Sequence, residues 1–152
     1  MVIAHNNRAA AYVENGKIDL ALADYGRVVD LDPKNYKAYD NRGVLLTMKR
    51  QYSSALDEFN KSMALNPHNA TAYYNRARVY VHLKQFESAL ADYNEALEID
   101  PLYASVYNNR AVLYFLRKDP VRSWKDVRRA QQMGFRIQPD FLKDLEKLSH
   151  EA

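Results

Sequence analysis

Asn7, Asn41, Asn75 and Asn109 recur at intervals of 34 residues, inside the stretches HNNRAAAY, YDNRGVLL, YYNRARVY and YNNRAVLY. A primary amide carries donors and an acceptor on one planar group. It complements a peptide unit, which presents one carbonyl and one N–H, so a row of amides can hold a backbone without reading its side chains. Asparagine is also a poor helix former, because its short side chain competes for nearby backbone groups. Repeating it at one helical position needs a reason other than helix formation.

An arginine follows each of these residues: Arg8, Arg42, Arg76 and Arg110. An acid follows each arginine sixteen residues on: Asp24, Glu58, Asp92 and Asp126. A cationic column alone would suit phosphate. Paired with a column of acids on the next helix, it is expected to be an ion pair between helices, with arginine favoured because its fork meets a carboxylate at two points.

Other chemistries find no support. The chain has no cysteine, which removes thiol catalysis and thiolate metal sites. His5, His68, His82 and His150 show no metal-ligand spacing, and no glycine-rich phosphate loop or serine–histidine–acid set is present. No catalytic residue, metal or cofactor is expected. Twelve tyrosines suggest stacking platforms for nucleic acid. Eight of them, Tyr12, Tyr25, Tyr39, Tyr73, Tyr80, Tyr93, Tyr107 and Tyr114, fall at repeat positions that packing is expected to bury, so no nucleic-acid partner is expected.

The elements that must position these residues are helical. Pro33, Pro67 and Pro101 keep the same 34-residue period, and a proline stops a helix because it lacks an N–H and restricts its predecessor. Between them lie paired helical patterns, over 2–15, 36–49, 70–83 and 104–117, then 18–31, 52–65, 86–99 and 120–133. Numbering each repeat from Val2, Tyr36, Ala70 and Ala104, position 8 is small (Ala9, Gly43, Ala77, Ala111) and so is position 20 (Ala21, Ala55, Ala89, Ser123). Positions 11 and 24 are bulky, with Tyr12, Leu46, Tyr80 and Tyr114 at the first and Tyr25, Phe59, Tyr93 and Val127 at the second. Large beside small lets two helices interdigitate.

This pattern of bulky, small and aromatic residues with a closing proline resembles the tetratricopeptide repeat family. The resemblance runs from residue 2 to about 135, with two departures: His5 stands for the first bulky residue, and Phe135 where a fourth proline would fall. It implies an all-α fold, a right-handed α-solenoid of four helix-turn-helix repeats (2–35, 36–69, 70–103 and 104–135). The segment 136–152 is expected to add a capping helix opened by Pro139. Its stripe of Phe141, Leu142, Leu145 and Leu148 should pack on the last repeat, leaving Lys143, Asp144 and Lys147 in water. The family resemblance further implies that position 6 lines a concave groove. Asn7, Asn41, Asn75 and Asn109 would then form a ladder like those with which other helical-repeat solenoids hold an extended peptide.

Specificity would fall to groove residues that vary between repeats: Asp40, Tyr74 and Asn108 at position 5, Arg78 and Val112 at position 9, and Met48, His82 and Leu116 at position 13. The family's carboxylate clamp for chaperone C-termini uses lysine at position 5 and asparagine at position 9. Position 5 here is never lysine and position 9 never asparagine, so that ligand is not expected.

The expected function is a non-catalytic adaptor with a protein or peptide partner. A competing expectation is a scaffold that self-associates, since Glu87, Glu95 and Glu98 in repeat 3 complement Arg122, Lys125, Arg128 and Arg129 in repeat 4. A third is one domain of a larger enzyme. A monomer is favoured over self-association. No apolar run approaches the 18 or so residues that span a bilayer, no signal peptide is expected at the start, and a cytoplasmic setting is expected. Of the net charge, +3, all is carried by residues after 116, so the basic balance belongs to one end.

Overall fold

The computed structural model describes residues 1–151 of the 152-residue chain. Among these residues the order is α1 (Val2–Glu14), α2 (Ile18–Leu31), α3 (Tyr36–Met48), α4 (Tyr52–Leu65), α5 (Ala70–His82), α6 (Phe86–Ile99), α7 (Ala104–Leu116), α8 (Pro120–Gln132) and α9 (Pro139–Glu151). They form two compact bodies, an N-terminal one over Met1–Val79 and a C-terminal one from Tyr80 onward. No described helix is long and apolar enough to cross a membrane.

The first helix of every repeat ends one residue earlier than the sequence pattern suggests. Gly16, Arg50, Lys84 and Lys118, all at position 15, adopt left-handed backbone with φ between 57° and 70°. The N–H that follows each reaches back five residues, Lys17 to Tyr12 (2.8 Å), Gln51 to Leu46 (2.9 Å), Gln85 to Tyr80 (2.8 Å) and Asp119 to Tyr114 (2.9 Å). This closure satisfies carbonyls that the helix end would orphan. Only repeat 1 uses glycine for it. The other three hold a long cationic side chain in a backbone region that glycine occupies more easily.

The second helices end differently. Asp32, Asn66 and Asp100 each accept, through Oδ1, the N–H two residues on (3.3, 3.3 and 3.0 Å), turning the chain at the proline between. Repeat 4 lacks that proline. Gly134 (φ 78°) instead closes α8, with Phe135 N–H bonded to Ala130 (3.0 Å), and the chain is redirected into α9.

In the N-terminal body, Ala9, Ala21, Tyr25, Val28, Ala38 and Leu45 form one cluster, and Ala55, Phe59, Met63, Ala72 and Val79 a second. Gly43 shows how closely the helices approach: a Cβ there would lie 2.7 Å from Phe59 Cε1. In the C-terminal body, Ala111, Val127, Ala130, Ile137 and Leu145 are buried together, with Phe141 and Leu142 packed around them. Helix α9 is thus the expected cap, and Lys143, Asp144 and Lys147 are exposed. Phe115 and Phe141 meet edge to face, centroids 5.5 Å apart. Ser123, at a position where the other repeats have alanine, satisfies its hydroxyl on the Ala111 carbonyl (2.8 Å).

The tyrosines differ from expectation. Tyr25 and Tyr93, at position 24, are buried, whereas the six at positions 4 and 11 are only half-buried. The phenol keeps its polar tip near water while the ring packs. Tyr39 and Tyr107 do so by donating to the carbonyls of Pro33 and Pro101 (both 3.2 Å).

Candidate functional site

The arginine column is absorbed by the fold. Arg8 grips Asp24 at two points, Nε to Oδ2 and Nη2 to Oδ1, both 2.6 Å. Arg110 does the same to Asp126, at 2.7 and 2.8 Å. Arg42 meets Glu58 more loosely, Nη1 to Oε2 at 3.4 Å, and the other oxygen, Oε1, accepts from Lys61 Nζ at 3.3 Å. The arginines also reach the second helix of the preceding repeat. Arg76 Nη1 donates to Asn60 Oδ1 and Arg110 Nη1 to Asn94 Oδ1, both at 2.7 Å. One guanidinium can thus tie two second helices, which is a structural use of the charge.

The electrostatics agree. The hydrogen bonds from Arg8 hold Asp24 below the usual carboxylate range although burial opposes this. Burial works against the charge on Arg110, but the bonds and charge of Asp126 more than offset it and raise that pKa above its ordinary value.

The asparagine column lies one residue away and is bonded differently. In the N-terminal body Asn7 and Asn41 are exposed and Asn75 is half-exposed. Their side chains make no hydrogen bond among the described residues of that body. Around them, Ile3 and Met48 expose apolar side chains (74% and 61%). Tyr74 and Arg78 lie one turn apart, guanidinium over ring at 5.7 Å. In the C-terminal body Asn109 accepts from Asn108 Nδ2 (3.2 Å), Val112 is half-buried, and His82 and Leu116 are exposed.

Asp40 does not join this surface. It is 8% exposed, and its Oδ2 accepts from Asn69 Nδ2. Burial raises its pKa above the usual carboxylate value, with the hydrogen bond from Asn69 acting against that rise, while Asp40 Oδ1 and the buried Ser62 Oγ have no hydrogen-bond partner among the described residues. Position 5 lies at the edge between the exposed and packed faces of α3, and Asn69 holds this short side chain inward. The expectation that Asp40 lines the groove is corrected by that geometry. Ile3, at position 2, is an exposed residue that the sequence reading passed over, and its repeat position opposite the small residues was the available signal.

Comparison with known proteins places this architecture. The tetratricopeptide repeat family model matches residues 2–35 and 70–103, the first and third repeats. The solved structure of MamA is similar, with a TM-score of 0.80 at 22% identity, over 88% of this chain and 78% of that one. MamA residues 41 to the end from Desulfovibrio magneticus RS-1 give 0.78 at 19% identity, over 88% and 76%. The first tetratricopeptide repeat domain of Spaghetti (RPAP3), bound to the HSP90 peptide SRMEEVD, gives 0.73 at 25% identity, over 76% of this chain and 94% of that one. No curated protein sequence matches.

Proposed function

We propose that this chain, a member of the tetratricopeptide repeat family, is a non-catalytic interaction module whose N-terminal body holds an extended peptide by its backbone. One observation carries the reading. Asn7, Asn41 and Asn75 keep their amides uncommitted within that body, while the equally recurrent arginines beside them are spent on the fold. Neighbouring packed helices lie about 8–10 Å apart, and an extended strand rises about 3.3 Å per residue. Each asparagine therefore meets roughly every third peptide residue, and three grip about seven. Met48, Tyr74 and Arg78 differ from repeat to repeat and would select among sequences. Asn109 holds the same repeat position in the C-terminal body, where its Oδ1 accepts from Asn108, and Val112, His82 and Leu116 stand at the variable positions of that body.

A structurally similar domain was solved with the peptide SRMEEVD, which supports peptide capture by this architecture. The mode differs. Position 5 holds Asn6, Asp40, Tyr74 and Asn108 and position 9 holds Ala10, Val44, Arg78 and Val112, so lysine and asparagine are missing where a carboxylate clamp needs them.

The test is a scan of backbone N-methylation along a peptide selected from an immobilised array. Methylation should weaken binding with a period of about three residues, by about 0.5–1.5 kcal/mol for each net hydrogen bond lost. Affinity that follows only a terminal carboxylate, and ignores N-methylation throughout, would overturn the ladder.

A further inference from the structure

The C-terminal body has a second surface that the asparagines do not touch. Residues of α7, α8 and α9 line a depression of about 1020 Å³, with Tyr107, Val121, Trp124, Lys125, Arg128 and Arg129 on its walls. Helix α8 carries Arg122, Lys125, Arg128 and Arg129 against one acid, Asp126. That acid is 2% exposed and closed by the two-point pair with Arg110. Arg122 is also committed, to Asp119 at 3.1 Å and over the Tyr114 ring. The remaining three cations are not. Among the described residues no carboxylate lies within 4 Å of Lys125 or Arg128, and Arg129 reaches only Gln132 Oε1 at 3.4 Å. Three like charges on one helix face repel, and an anion relieves that repulsion.

The depression also has apolar lining. Trp124 donates its Nε1 to Ser149 Oγ (2.9 Å), which in turn donates to the Leu145 carbonyl (2.8 Å). Helix α9 therefore fixes the indole, and the ring needs no polar partner from a ligand. Val121 beside it is 79% exposed. A fixed ring and an exposed aliphatic side chain, bordered by three free cations, suit a ligand with carboxylates around one apolar side chain.

We infer that this depression is a second binding site, separate from the asparagine ladder, and that it takes a short acidic peptide segment with an apolar residue between its carboxylates. A long polyanion fits less well. Residues 80–152 hold eleven basic and eleven acidic side chains, so the body as a whole offers no net positive charge to a strand longer than the depression. Nucleic-acid affinity grows with the number of phosphates neutralised, and three cations give little.

Trp124 is the chain's one tryptophan and reports directly on its own site. The probe is the acetylated, amidated peptide Glu-Glu-Leu-Glu-Glu, titrated at low salt while indole fluorescence is followed. A saturable change is expected, weakening with added salt and absent with Gln-Gln-Leu-Gln-Gln. The exposed triple variant Lys125→Gln, Arg128→Gln, Arg129→Gln should bind at least about tenfold more weakly, with an unchanged helical spectrum and melt. Asn41→Ala with Asn75→Ala should bind this peptide as the wild type does, which keeps the two sites distinguishable. No saturable change, or equal affinity in the triple variant, would overturn the proposal. So would tighter binding of a twelve-residue oligothymidylate, which would make the site one for nucleic acid. Self-association without peptide that the triple variant abolishes would assign the surface to a second copy of the chain and overturn it equally.

Discussion

Asn7 and Arg8 are adjacent in α1, as are Asn41 and Arg42 in α3, and both columns repeat with the same period. Their physical situations are opposite. The arginines lie over buried carboxylates and join helices, so removing one strands a charge. Asn7 and Asn41 face water and join nothing within their body, so removing one strands nothing. Recurrence in a repeat sequence is therefore not itself a sign of packing or of function. What separates the two is whether a complementary column recurs elsewhere in the unit, as the acids do sixteen residues on and as nothing does for the amides.

The comparison breaks most visibly at Arg110. Arg110→Ala leaves Asp126 with 3% of its side chain exposed and no cation at its oxygens. The expected loss is about 3 kcal/mol, as for breaking a buried pair by removing one partner, read as a fall in the denaturant midpoint. A loss under about 0.5 kcal/mol would place the arginines with the asparagines, as surface residues.

Asp40 sharpens the comparison with an effect of opposite sign. Its folded pKa is raised, so burial of the charged form costs stability above that pKa. The cost disappears as pH falls through it, because the folded state then takes up a proton before the unfolded chain does. Asp40→Asn keeps an acceptor for Asn69 and adds a donor for the buried Ser62 hydroxyl. It should stabilise the chain by about 1 kcal/mol at neutral pH, with the gain shrinking in acid. A variant that is less stable at neutral pH would mean that the carboxylate itself is needed there.

The period, the helix pairs and the arginine–acid bridges were legible in the sequence because each is a repeated choice, visible four times over. Details that depend on one neighbour were not. The inward turn of Asp40 follows from its bond with Asn69, which has no counterpart pattern to read. The left-handed helix ends at Arg50, Lys84 and Lys118 were hidden because glycine marks only the first, at Gly16. Tyrosines at positions 4 and 11 are half-buried because the hydroxyl resists full burial, which a size pattern does not encode. The α8 cations stood out by charge, but the depression beside them depends on Trp124 being held by Ser149 from another helix.

The central claim is that the asparagines serve a ligand and not the fold, and the double variant Asn41→Ala with Asn75→Ala tests it most directly. Alanine is the better helix former by up to about 0.7 kcal/mol per site. The variant should therefore melt at the same temperature or slightly higher, while losing about 1–3 kcal/mol of affinity for an extended peptide across its two hydrogen-bonding positions. A double variant that loses well over 1 kcal/mol of stability, or that binds the peptide undiminished, would contradict the account.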